Sequence, residues 1–179
     1  MNVERGLVER ARSEDAALEA LVAAMWPQAF RLAASILRDR GLAEDVAQDA
    51  CAAIVRSLPA LKNPGAFPAW FYKIVVRHAL SEGRRRRPAE PLEALQRRCV
   101  NDPSDFLALE EAMASLTPLA RAVVLLHYYA GFSSVEIGES TQLPASTVRF
   151  HLMLARRALR KALSATRAPD LLAEARDNV

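Results

Sequence analysis

Glycine is scarce in this 179-residue chain, six residues in all, which leaves no glycine-rich loop to cradle a phosphate. The three histidines, His78, His127 and His151, are scattered. Only His78 and Glu82 form a histidine–carboxylate pair one helical turn apart, so neither a metal site nor an acid–base centre is expected, and no cofactor. Two cysteines, Cys51 and Cys99, have neither the paired spacing of zinc ligands nor the density of a disulfide-stapled secreted domain. Cys51 continues an apolar helical face and is expected to be a buried packing thiol. Uninterrupted apolar runs such as Ala122 to Leu126 are too short to cross a bilayer, and the N-terminus shows no basic-then-apolar leader. No stable membrane insertion is expected, and a cytoplasmic location is the default. Strand-period alternation and internal repeats do not stand out, which points to an all-α architecture.

What the chain does have is apolar content, 51%, enough to fill real cores. Its net charge of +3 is unevenly placed. Glu44, Asp45 and Asp49 cluster early, whereas Arg84 to Arg87 and the stretch from Arg149 to Lys161 are basic.

Leu18, Leu21, Val22, Met25, Phe30, Ala33, Ile36 and Leu37 recur at helical spacing, and Pro27 is expected to start a fresh helical segment. After a turn expected at Gly41, Leu42, Val46, Ala50, Ile54 and Leu58 form a second stripe ending near Pro59. Its opposite face carries Asp45, Gln48, Asp49 and Arg56. Asn63, Pro64 and Gly65 interrupt the pattern before a third helix with Ala69, Trp70, Phe71, Ile74, Val75 and Ala79. From Gly83 to about Asp105 the periodicity fades and Pro88, Pro91 and Pro103 break the backbone. Two small helical domains joined by a flexible linker follow, with boundaries at 1–87, 88–105 and 106–167 and a tail at 168–179.

The second half opens near Phe106 and runs through Leu109 and Met113 to Leu116. Thr117 and Pro118 then supply an N-cap and first-turn proline, and Leu119, Val123 and Leu126 a core face. Ser133 to Glu136 has capping-box spacing and opens a short helix. Leu143 and Pro144 precede a long helix from Ala145 to about Leu163. Short helix, tight turn and long basic helix is helix-turn-helix order. With Val148, Leu152 and Leu159 inward, Ser146, Thr147, Arg149 and Phe150 sit where base edges are reached. His151 lies in the same basic helix, and Arg156, Arg157, Arg160 and Lys161 track phosphates.

Phe67, Trp70, Phe71 and Tyr72 occupy most of a helix circumference, so some of them are expected to be exposed. Beside Lys73, Arg77, Arg84 and Arg85 they suit the stacking of unpaired bases with cations on the phosphates. Glu44, Asp45, Gln48 and Asp49 share one side of a helix, a placement that suits general acids, metal ligands, a docking face or a plain solvated face.

These pieces together resemble the extracytoplasmic-function group of the sigma-70 class. Trp26-Pro27 with Phe30 and Leu32 is similar to that family's opening helices, and Ala43 to Asp49 to its polymerase-docking helix. Phe67 with Ala69 to Ile74 resembles its promoter-melting helix. Leu116 to Tyr129 and Ser133 to Arg157 resemble the part that reads the upstream promoter element. The resemblance implies an initiation subunit that is not itself an enzyme. Glu44, Asp45, Gln48 and Asp49 would dock on core RNA polymerase, the stretch from Asn63 to Arg77 would capture flipped −10 bases, and the last helix would bind the −35 element of promoter DNA. An anti-sigma factor is the implied regulatory partner.

The chain departs from the family pattern at Val76, Arg77 and Ser81, where Arg, Asn and Asp are common. Gln142 stands at a turn position often filled by glycine, a left-handed conformation that costs other residues. An ordinary helix-turn-helix regulator is the competing reading and leaves the aromatic cluster and acidic face without a role. A helical enzyme would need a convergent polar pocket that the sequence does not offer.

Overall fold

The computed structural model describes residues 5–85 and 104–165, without the side chains of 104–108 and 162–165. Arg86, Arg87, Cys99, most of the expected linker and the tail lie outside the described residues. Eight α-helices and no strands occur among the described residues: α1 Arg5–Arg10, α2 Asp15–Leu37, α3 Arg40–Ser57, α4 Phe67–Arg85, α5 Ser104–Ser115, α6 Pro118–Val124, α7 Ser134–Thr141 and α8 Ala145–Ala165. Helices α1 to α4 build the first domain, α5 to α8 the second.

Helix α2 lies against both α3 and α4. Leu21, Met25, Ala29, Ala33 and Ile36 at its inner face are fully buried, as are Ala47, Ala50 and Ile54 of α3 and Phe67, Phe71, Val75 and Ala79 of α4. Burying each large side chain contributes roughly 1.5–3 kcal/mol. Taken as a whole helix, α2 is long and apolar enough to cross a bilayer, although no unbroken apolar run in it is. Here its apolar side is used on α3 and α4, while Glu19 and Arg31 are exposed.

Two expected breaks are displaced. Pro27 does not start a new helix but sits inside α2. It is exposed, between the buried Met25 and Ala29, so the carbonyl it frees one turn back faces the solvent side while packing on both flanks holds the helix together. The turn placed at Gly41 comes earlier, at Arg38, which closes α2 in a left-handed conformation (φ 57°). Asp39 then caps α3, its Oδ1 accepting from the Leu42 amide at 2.9 Å, and Gly41 lies in the first turn of α3.

In the second domain Thr117 caps α6 through the Ala120 amide at 3.2 Å, with Pro118 in the first turn. After α6 the chain widens into one π-helical turn, Leu125–Tyr129, before α7. Val123, Leu126 and Ile137, together with Val148 of α8, are fully buried in its core.

The two domains are joined through their apolar surfaces. A continuous cluster of buried side chains runs from Leu21 and Phe71 to Leu126, Phe132 and Leu152. The Tyr72 ring meets the Phe132 ring edge-on at 6.1 Å, and Lys73 Nζ donates to Glu139 Oε2 at 3.0 Å. Arg121, buried in α6, donates from Nε to the Ile36 carbonyl at 2.7 Å and from Nη1 to the carbonyls of Leu116, Met113 and Ala114.

Candidate nucleic-acid interface

The helix-turn-helix is built by three local devices. Ser133 and Glu136 form a reciprocal capping box at the start of α7, with the Ser133 amide donating to Glu136 Oε2 at 2.9 Å and the Glu136 amide to Ser133 Oγ at 3.3 Å. The Ser133 hydrogen bonds hold the Glu136 carboxyl below its ordinary range, with a smaller pull from Lys73. Gln142 closes α7 at φ 60°, the left-handed conformation read from its turn position. Its amide and that of Leu143 both donate to the Gly138 carbonyl. A Cβ on Gly138 would lie 2.6 Å from the Leu143 carbonyl oxygen, so only glycine allows the turn to close this tightly. Gly138 was not singled out from the sequence, where its position inside a short helix looks merely unfavourable.

Helix α8 divides cleanly. Val148, Leu152, Ala155 and Leu159 are buried. Ser146, Arg149, Phe150, Arg157 and Lys161 are exposed, and Thr147, His151 and Arg156 half-buried. Arg160 is exposed too, so all nine residues read onto the DNA-facing side reach solvent. Beside the helix runs a groove of about 810 Å³ lined by His127, Ser133, Ser134, Arg149, Leu152, Met153, Arg156, Arg157 and Arg160. Four guanidinium groups and the N-terminus of α7 face one concavity, an arrangement that attracts phosphate. Arg156 Nε donates to the Tyr128 hydroxyl, and its guanidinium lies 5.7 Å from that ring's centroid. His127 lines this groove and Tyr128 holds one of its arginines, yet neither is legible as a site residue in the sequence; both belong to the π-helical turn.

Helix α4 corrects the reading of its aromatic cluster. Phe67 and Phe71 are fully buried in the first domain and are not available to stack on bases. Tyr72, 5% exposed, is covered instead by the second domain through Phe132. A helix on one core leaves part of its circumference exposed, whereas α4 lies between two domains. Trp70 alone of the four keeps a half-exposed ring, tilted against Phe67 at 6.0 Å. Lys73 is held by Glu139, while Arg77, Arg84 and Arg85 are exposed. Asn63 is exposed in the approach to α4, where its side chain accepts from the Gly65 amide at 2.9 Å.

In the first domain Glu44, Asp45, Gln48 and Asp49 are all exposed along α3. They make no ligand cage: among the described residues no group of three or more His, Cys, Asp or Glu could hold a metal. Cys51 on the neighbouring face is 8% exposed, and burial pushes its thiol up to about 11.

The two domains fall on two models of one family. Sigma-70 region 2 matches residues 12–88, and Sigma-70, region 4 matches residues 106–159. The RNA polymerase sigma factor SigV of Bacillus subtilis (strain 168) is 27% identical over 136 residues, covering 73% of this chain and 81% of SigV. The ECF RNA polymerase sigma factor SigW of the same organism is 26% identical over 140 residues, covering 68% of this chain and 75% of SigW. Among solved structures, the sigma factor RpoE in complex with the anti-sigma factor NepR from Bartonella quintana has a TM-score of 0.64 at 18% identity, covering 84% of this chain and 98% of that one. With both regions matched in order and the helix-turn-helix in place, the chain belongs to the sigma-70 family, as an alternative sigma factor of the extracytoplasmic-function group.

Proposed function

We propose that the acidic-amide face of α3, at Glu44, Asp45, Gln48 and Asp49, docks on core RNA polymerase. In this reading the Asn63 loop, Trp70, Lys73, Arg77, Arg84 and Arg85 grip melted −10 DNA, and the exposed side of α8 reads the −35 element. The chain has no catalytic centre of its own, works in the cytoplasm and leaves RNA synthesis to the core enzyme. The observation that carries the reading is spatial separation of chemistries: a carboxylate face on α3, cations beside one half-exposed indole on α4, and a four-arginine groove along α8. Aromatic stacking with nearby cations suits single strands, and a basic recognition helix suits duplex. An anti-sigma factor covering the DNA-facing apolar residues Phe150, Met153 and Leu154 fits their exposure on a basic helix.

The test is reconstitution. The purified chain added to core polymerase and a library of promoter fragments is expected to give specific transcripts, and the chain alone none. Failure to form a stable complex with core polymerase removes the reading.

A further inference from the structure

The solvent side of α8 carries two chemistries on neighbouring ridges. Arg149, Met153, Arg156 and Arg160 follow one another at steps of three and four residues and line the cationic groove. Ser146, Phe150 and Leu154, each one turn after the last, form the next ridge and lie outside that groove. Phe150 keeps 53% of its surface open and Leu154 43%, although the inner face of the helix is already filled by Val148, Leu152, Ala155 and Leu159. These two are therefore not spare core residues. Beyond Leu154 the exposed side is cationic at Arg157, Arg160 and Lys161, and α8 contains no acidic residue.

An apolar step with cations before and after it complements one feature of duplex DNA. In the major groove the apolar group on a base edge is the thymine 5-methyl, and phosphates flank it on both sides. From this we infer that Phe150 and Leu154 read thymine methyl groups in the upstream element, so that α8 selects thymine over cytosine there. The inference rests on α8 facing duplex DNA, as proposed above. Neither side chain donates or accepts a hydrogen bond, and the Ser146 hydroxyl on the same ridge serves any base, so the methyl itself is what the ridge discriminates. Cβ atoms one turn apart are separated by ~5–6 Å and bases rise by ~3.4 Å along a strand, which places the two thymines about one or two steps apart. The Phe150 ring already rests edge-on against the His151 ring at 6.1 Å, which limits the rotamer freedom it loses on docking.

Deoxyuridine differs from thymidine by that methyl alone and supplies the test. The full chain with core polymerase is used to select duplex promoter fragments randomised throughout their upstream half, and the selected fragments are expected to carry thymines within about two steps of each other. Replacing either thymine by deoxyuridine is expected to weaken binding about fourfold, the value of one buried carbon, and 5-methylcytosine to bind better than cytosine at the same place by a similar factor. Phe150→Ala is expected to erase the deoxyuridine effect at one thymine and Leu154→Ala at the other. Both side chains are exposed, so neither variant threatens the fold, and unchanged melting temperatures check this. Deoxyuridine bound as tightly as thymidine overturns the inference. So does a deoxyuridine penalty that survives in both alanine variants, which would leave the ridge to contact with a protein partner. If no fragment is selected, the function proposed above fails and the inference with it; a selected element without methyl dependence removes the inference alone.

Discussion

Arg121 Nε donates to the carbonyl oxygen of Ile36 at 2.7 Å, across 85 residues of sequence. The bond ties the C-terminal end of α2 to a side chain that also reaches back to Leu116 at the end of α5. Helix C-termini carry unsatisfied carbonyls and partial negative charge, so a buried cation is stabilised there without a carboxylate.

Hydrogen bonds to a charged group contribute about 1.5–3 kcal/mol each. Arg121→Met is therefore expected to lower thermal stability by at least 2 kcal/mol. Arg121→Lys should recover only part of it, because an ammonium cannot fork between two helix ends. Equal melting temperatures for the Lys variant and the parent would contradict the forked role.

Trp70→Ala and Arg149→Ala should divide the promoter between them. The first is expected to impair strand opening, seen by permanganate footprinting, with little effect on duplex binding. The second is expected to weaken upstream-element binding by about 1–3 kcal/mol. On pre-melted templates the two defects should differ; equal defects there contradict the division.

Ser133→Ala removes one half of the capping box and is expected to cost about 1 kcal/mol. The pH dependence follows from Glu136, whose carboxyl is depressed mainly by Ser133. A depressed carboxylate contributes stability above its unfolded value, near 4.5, that is lost as pH falls through the lower folded value. Acid titration of the parent and the Ser133→Ala variant by circular dichroism should show the gap between them narrowing below that point.

Gln142→Gly is expected to stabilise the second domain by up to about 1 kcal/mol, since glycine enters the left-handed region without the Cβ penalty. Arg38→Gly relieves the same strain at φ 57° but deletes the bond to Glu110. Urea titration should show a gain for the first substitution and no comparable gain for the second.

Cys51 should resist thiol reagents in a Cys99→Ser background until the protein unfolds, because the buried thiol is pushed up to about 11 from 9.0. Between those values the unfolded chain releases its proton more readily than the folded one, so stability declines as pH rises from 9.0 toward 11. Cys51→Ala should flatten that decline. Rapid labelling at neutral pH in native buffer would place the thiol on the surface.

Much of this was legible in the residues, where the information is local. Thr117-Pro118 and the Ser133–Glu136 box are set by backbone groups within a few positions, and each occurs as read, while the left-handed Gln142 followed from the family resemblance. The inward stripe of Val148, Leu152 and Leu159 follows from helical periodicity alone. Pro27 was misread because a proline's cost was weighed without the packing of Met25 and Ala29 beside it. The burial of Tyr72 is not legible in the sequence because the surface that covers it comes from Phe132, 60 positions away.

By itself the amino-acid order determined the helices, their caps, the two-domain division and the sorting of acidic, aromatic and basic chemistry onto different helices. These depend on spacing of 3.6 residues and on side chains bonding to their own backbone neighbourhood. Only the tertiary structure decided which aromatics stay available, that α4 lies between two domains, and that Arg121 ends two helices at once. Such facts arise from surfaces meeting across long stretches of chain, where burial and the pairing of orphan carbonyls outweigh local preference.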